Sequence, residues 1–337
     1  MEIGDVCMNK LDIAKILLSD FKIKVFGCKR IPDTSSKVYC LDTNKGMFAL
    51  KEYPTEVALE TIVLETEICS FLTLKGYTVP EHIQNISGMK IIPFGNHYFT
   101  VYPWILGVRQ PFHSGTNRQS LQCAELYGRL VRSLEEFPLL LKKKEAFDRS
   151  DEAIDKSIRE HEKILLIAED DSIRRDLRTK LEFLHKLKAE KWKGFECITW
   201  KNSHGDYNSY QILFEGEIVS GLLDFTSARR MPVIYELFRS FLYIRRGFED
   251  GLPDMREFAE YLRSYKKYES LNIYDIQFAV RCYYLRVLKT VFGYQQYTVN
   301  SENVRYLRLG QDLFKQCVLI HDNEEQLTAC LCKEVNE

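Results

Sequence analysis

A chain of 337 residues, 45% apolar and 28% charged, holds ample material for a large core, most simply arranged as two domains. Its formal charge of −1, and the lack of a basic stretch interleaved with aromatics, argue against a nucleic-acid groove. No run approaches the roughly 18 apolar residues of a membrane span, so the expectation is a cytoplasmic enzyme or binding protein with neither membrane nor nucleic acid as partner.

The opening MEIGDVCMNKLDIAKILLSD carries acids and lacks the apolar stretch of a secretion signal, and its residues 9–20 read as a short amphipathic helix. Three strands follow in FKIKVFGCKRI, SKVYCLD and GMFALKEY, separated by the turn-rich PDTSS and TNKG. Residues 56–75 have helical spacing and end at Gly76 as a C-terminal cap. Strands around KIIPF and YFTVYPWI complete a β-β-β-α-β-β unit over residues 1–103.

From Ser120 onward the character changes. Helical periodicity runs through SLQCAELYGRLVRSLEEF, DEAIDKSIREHEKILLIAE, RRDLRTKLEFLHKLKAEKW, REFAEYLRSYKKY and the aromatic-rich 274–297. The tyrosines of that last segment, Tyr283, Tyr284 and Tyr294, read as core packing rather than a substrate wall. Lys142, Lys143 and Lys144 lie beside Glu145 and read as a solvated helix face. The ten cysteines are scattered, and most read as buried thiols of a reducing compartment; only Cys330 and Cys332 stand close, without a second pair to complete a zinc site.

One stretch breaks the helical pattern. KNSHGDYNSYQILFEGEIVSGLLDF, residues 201–225, reads as a hairpin embedded among helices and closed by a Glu-Gly-Glu turn at 215–217. A turn centred on Gly216 sets Gln211 opposite Gly221 and Asp224 opposite Asn208, bringing Asp206, Gln211 and Asp224 together. Two carboxylates and an amide make an oxygen-rich site suited to Mg²⁺, which takes one or two carboxylates and fills its shell with water and phosphate. In the earlier strand, Ala49 and Lys51 share one face, where a flat ring and its phosphates could lie. Glu65 shares a helix face with Ile62, Cys69 and Leu72 and supplies the lysine's counter-charge, with Glu67 as the competing candidate.

FALK, a helix with an inward Glu, YPW, HGDYNSYQIL and GLLDF, in that order, resemble the protein-kinase-like small-molecule phosphotransferases, which include aminoglycoside phosphotransferases, choline kinases, a type of homoserine kinase and spore-coat kinase-like proteins. The resemblance covers roughly residues 20–245, and the HGD followed by a strand pair ending in Asp is its most specific part. It implies an α+β, bilobal protein-kinase-like fold: a small antiparallel-sheet nucleotide-binding lobe with one helix over 1–103, and a larger, mainly helical catalytic and acceptor-binding lobe over 104–337. It further implies that Lys51 holds the α/β-phosphates of ATP, that Glu65 orients Lys51, and that Tyr102 to Trp104 offer hinge backbone to the adenine. Asp206 would accept or position the proton of a small-molecule hydroxyl, Asp224 would ligate Mg²⁺, and His204 would brace the loop.

Two departures from the pattern stand out. The family has Asn five residues after the Asp of HGD, where this chain has Gln211; Asn208 is an alternative ligand. The loop PDTSSK lacks GxGxxG, leaving backbone N–H groups and the hydroxyls of Ser35 and Ser36 to cover phosphates. An active small-molecule kinase is the leading expectation, against a pseudokinase or spore-coat-type protein that binds nucleotide without transfer. A protein Ser/Thr kinase fits less well, with HGD in place of HRD and a short interval between Asp224 and Pro232. For the acceptor, Glu236, Glu249 and Asp250 suit a cation, whereas Arg229, Arg230 and Arg239 suit an anion.

Overall fold

The computed structural model describes residues 10–32, 36–248 and 251–336. Its strands are β1 (Val25–Ile31), β2 (Lys37–Thr43), β3 (Gly46–Tyr53), β4 (Ile92–Phe94), β5 (His97–Pro103), β6 (Val108–Arg109), β7 (Trp200–Ser203), β8 (Ile212–Glu215), β9 (Ile218–Leu222) and β10 (Arg229–Pro232). Its helices are α1 (Lys10–Phe21), α2 (Leu59–Leu74), α3 (Asn117–Glu135), α4 (Asp151–Ile167), α5 (Asp171–Ala189), α6 (Val233–Ile244), α7 (Met255–Tyr265), α8 (Ile273–Gln277), α9 (Ala279–Lys289), α10 (Phe292–Val299) and α11 (Val304–Asn336). The chain forms two compact units, Met1–Arg109 with Gln211–Ala228, and Gln110–Tyr210 with Arg229–Glu337.

In the first unit an antiparallel sheet of order β1-β2-β3-β5-β4 has two working faces. Strand alternation sends Tyr39, Leu41, Leu50, Phe99 and Val101 into a core closed by Ile13, Leu17 and Phe21 of α1. The same alternation leaves Ala49, Lys51 and Tyr53 together, beside Thr100 and Tyr102 at the paired positions of β5. Helix α2 buries Ile62, Glu65, Ile68, Cys69 and Leu72 and stops where Gly76 adopts a positive φ of 84°, a conformation that costs glycine no side-chain clash.

The hairpin β8–β9 belongs to this first unit rather than to the helical one. β6 pairs with β8, and the Leu222 N–H donates to the Thr78 carbonyl at 3.0 Å. These contacts also carry the boundary to Arg109, six residues past the expected 103. The register differs too: Ile212 faces Leu222 and Leu213 faces Gly221, so Gln211 meets Leu223, whose N–H donates to the Gln211 carbonyl at 2.8 Å. The cause is a two-residue turn, Gly216-Glu217, between Glu215 and Ile218, plus one irregularity further along the ladder.

The second unit is helical with a small sheet of β7 and β10. Residues 142–144 are no helix face. They run alongside β10, where the Arg230 N–H donates to the Lys142 carbonyl and the Lys144 N–H to the Arg230 carbonyl, both at 2.9 Å. The aromatic-rich segment is three helices, α8 to α10. Thr290 turns extended at the end of α9, and the Lys180 ammonium takes up the exposed carbonyls of Val287 and Thr290. Three of its tyrosines pack as core, with Tyr283 donating to Gln316, Tyr284 pairing with His321 and Tyr294 donating to Asp176, whereas Tyr274 is exposed. No helix among the described residues is long and apolar enough to cross a membrane.

Candidate active site

The residues singled out by the sequence fall into two clusters of charged side chains, one in each unit. In the first, the Lys51 ammonium, 5% exposed, donates to Glu65 Oε1 at 2.8 Å, Glu65 Oε2 at 3.0 Å and Asp224 Oδ1 at 3.0 Å. It also stands 4.7 Å from the centre of the Tyr53 ring. Burial works against the lysine charge, but the carboxylates of Asp224 and Glu65 override it and hold the pKa well above its ordinary value. Glu65 is saturated: Oε2 also accepts from the Tyr53 hydroxyl at 2.7 Å, and Oε1 from the Phe225 N–H at 3.1 Å. Glu67, on the exposed face of α2, takes no part.

Asp224 sits in the left-handed region at φ 62°, which aspartate tolerates better than most residues, and there its Oδ1 accepts from the Thr226 hydroxyl at 2.7 Å. Among the described residues no three or more His, Cys, Asp or Glu gather as a metal cluster. Asp224 offers one carboxylate at 23% exposure, which suits Mg²⁺, since that ion needs only one or two; Gln211 lies beside Leu223, whose N–H its backbone carbonyl accepts. Asn208 does not compete. It is 3% exposed, its Oδ1 accepts from the Tyr210 N–H and its Nδ2 donates to the Asp206 carbonyl, both at 2.8 Å.

Tyr102 is buried opposite Ala49, its ring edge-on to His82. In the YPW segment, Pro103 has no N–H and the Trp104 N–H donates to the Met47 carbonyl at 3.0 Å. Ser36 is buried at the start of β2, and Ser35 lies outside the described residues.

In the second unit, Asp206 ends the HGD loop with its carboxylate 33% exposed, and Oδ1 accepts from Arg239 Nη2 at 2.7 Å. Burial disfavours the guanidinium charge, yet Asp206 outweighs it, so Arg239 stays cationic. His204 is fully buried and its Nδ1 accepts from the Asp206 N–H at 3.3 Å, a bracing contact. The loop hangs chiefly on Glu236. That fully buried carboxylate accepts from the hydroxyls of Tyr127 and Ser203, from the Gly205 N–H at 3.2 Å and from the Tyr207 N–H at 3.0 Å. Glu236 is thus a support for the backbone around Asp206 and not a surface for a cationic acceptor; Glu249 and Asp250 lie outside the described residues. Arg230, read as an anion contact, pairs with Glu135 at 3.0 Å.

Sequence reasoning missed the Glu236 role, although a carboxylate within PVIYELF was a signal, since an acid in so apolar a stretch must find donors. It also missed Lys144, whose ammonium donates to the Gly205 carbonyl at 3.1 Å.

An antiparallel sheet with one buried Lys–Glu pair, followed by a helical unit carrying an HGD loop, defines a protein-kinase-like phosphotransferase fold. The sequence matches the family model described as the phosphotransferase enzyme family over residues 27–272, and the chain belongs to that family. No curated protein matches by sequence. The fold is similar to an amicoumacin kinase in complex with AMP-PNP, Ca²⁺ and Ami (TM-score 0.64, 13% identity, covering 92% of this chain and 93% of that one). It is also similar to a mutant aminoglycoside 2′-phosphotransferase-IIIa in its GDP complex (0.63, 14%, 95% and 100%) and to a microcompartment-associated aminopropanol kinase (0.60, 11%, 94% and 98%).

Proposed function

We propose that this protein is an ATP- and Mg²⁺-dependent kinase that moves the γ-phosphate to a hydroxyl of a small molecule. The observation that carries the reading is the Lys51–Glu65–Asp224 triad: a buried ammonium held by two carboxylates is costly to keep and useful chiefly where phosphate oxygens arrive. In this reading Lys51 meets the α/β-phosphates while Glu65 fixes its position. Asp224, with Gln211, would hold Mg²⁺, which supplies neutralisation of the charge spread over the transferring phosphoryl group. Asp206, oriented by Arg239 and by the Glu236-supported loop, positions the acceptor hydroxyl and takes its proton. The adenine edge would be met by the Pro103 carbonyl and the Ile105 N–H, since the Trp104 N–H is committed to Met47.

The named ligands of the similar structures, AMP-PNP, ADP and GDP among them, support a nucleotide. The test is thermal unfolding with ATP, with and without Mg²⁺, because a ligand bound only by the native state raises the midpoint by mass action. Metal-dependent stabilisation that disappears in Asp224→Ala is the expected result. A nucleotide-binding protein without transfer is the second reading, favoured by Gln211 where the family has Asn. ATP consumption abolished by Asp206→Ala selects the enzyme; tight binding without transfer to any hydroxyl compound in a metabolite and aminoglycoside panel selects the binding protein.

A further inference from the structure

Resting on the reading of Asp206 as the residue that meets the acceptor, we infer that this acceptor is an anionic small molecule, its carboxylate or phosphate group bound by Lys144, Arg239 and Arg286 beside Asp206. Lys144 is half-buried at the edge of β10, with its Nζ on the carbonyl of Gly205, the residue before Asp206, and among the described residues no carboxylate pairs with it. Arg239 gives one nitrogen to Asp206 and lies 4.8 Å from the centre of the Tyr243 ring, while its Nη1 is buried with no acceptor. Arg286, half-buried on α9, makes no hydrogen bond or ion pair among the described residues, although its charge is felt by both Lys144 and Tyr235. Tyr235, which feels the charge of both guanidiniums, is 3% exposed, and no hydrogen bond to its hydroxyl is present among the described residues.

Lys144 and Arg239 thus stand beside the half-buried Asp206 carboxylate, with the Arg286 charge near enough to act on Lys144. Glu236, the acid under the HGD loop, is filled by four protein donors and fully buried. Cations withdrawn from water without partners are unfavourable, and an incoming oxyanion would supply the missing acceptors for Lys144, for Arg239 Nη1 and for Arg286 together. The strain shows in Lys144, whose pKa burial pushes down to about 8, with Arg239 and Arg286 adding to the effect against Glu236 and Asp206. A polycationic aminoglycoside would meet like charge here, which costs affinity.

The test uses inorganic phosphate as probe, titrated calorimetrically into the full-length protein without nucleotide, at constant ionic strength set with chloride. Saturable binding that persists in Lys51→Ala, weakens about tenfold or more in Arg286→Gln and returns in part in Arg286→Lys is the expected pattern. Displacement by glycerate assigns a carboxylate and displacement by glycerol phosphate a phosphate group. Absent binding, equal binding in wild type and Arg286→Gln, or displacement by glycerol or a cationic aminoglycoside overturns the inference. Loss of the Mg²⁺-dependent ATP shift in wild type would instead sink the kinase reading, and that measurement does not involve Arg286.

Discussion

Glu65 accepts the Phe225 N–H with the same Oε1 that takes the Lys51 ammonium, at 3.1 Å and 2.8 Å. One carboxylate on α2 therefore fixes both the lysine of β3 and the backbone that follows Asp224. Replacing Glu65 by Gln keeps the shape but leaves Lys51 with Asp224 alone and turns an N–H toward the Tyr53 hydroxyl or Lys51. Removing one partner of a buried ion pair costs about 3 kcal/mol or more. A lower urea midpoint with an unchanged m-value is expected. An unshifted midpoint would mean that the pair contributes nothing net to stability.

On the proposed function, the two charged clusters divide binding from transfer. Lys51→Ala should lower kcat by about 10²–10³-fold, the usual loss when one preorganised electrostatic donor is removed. Asp206→Asn should lower kcat by about 10²–10⁴-fold while the ATP-induced rise in midpoint stays as in wild type. Steady-state rates beside thermal shifts check both. An undiminished rate in either variant removes the role given to that residue.

The first unit was legible because its signals are local. Period-two alternation in GMFALKEY places Ala49 and Lys51 on one face, and helical spacing turns Glu65 rather than Glu67 inward, as the structure has it. The hairpin ends were legible in kind but not in register. A two-residue turn and a ladder irregularity shift the pairing without changing the apolar pattern that sequence reading follows. Nor could its partner be read, because its attachment to β6 and Thr78 joins residues about a hundred or more apart in the chain. Lys144 was misassigned for a related reason: a run of lysines is ordinarily solvated, and only the pairing of 142–144 with β10 turns one of them under the HGD loop.

Glu236 supports Asp206 through backbone contacts, so its loss should act through loop position. In Glu236→Gln one amide N–H must face the N–H groups of Gly205 and Tyr207 or the hydroxyls of Tyr127 and Ser203. Leaving buried donors unsatisfied costs about 1–3 kcal/mol. We expect that destabilisation together with a fall in kcat and an unchanged KM for ATP. A raised KM with kcat intact would place Glu236 in nucleotide binding instead.

Two buried histidines set an acid limit on stability. His82 and His161 are pushed down to about 3 from 6.5, chiefly by burial, with Lys51 and Lys90 adding at His82 and Lys180 at His161. As pH falls from 6.5 toward 3 the unfolded chain protonates these rings while the folded chain does not. Their contribution is fully present above 6.5 and declines by up to about 1.4 kcal/mol per pH unit for each ring. Neither nitrogen of His82 has a hydrogen-bond partner among the described residues, so His82→Phe removes the proton without breaking a bond and should be near neutral at pH 7.5. Urea midpoints measured from pH 7.5 down to 4 should fall less steeply in His82→Phe than in wild type, by close to one proton in the linkage slope. Parallel curves would mean that His82 is protonated in the native protein as readily as in the unfolded chain.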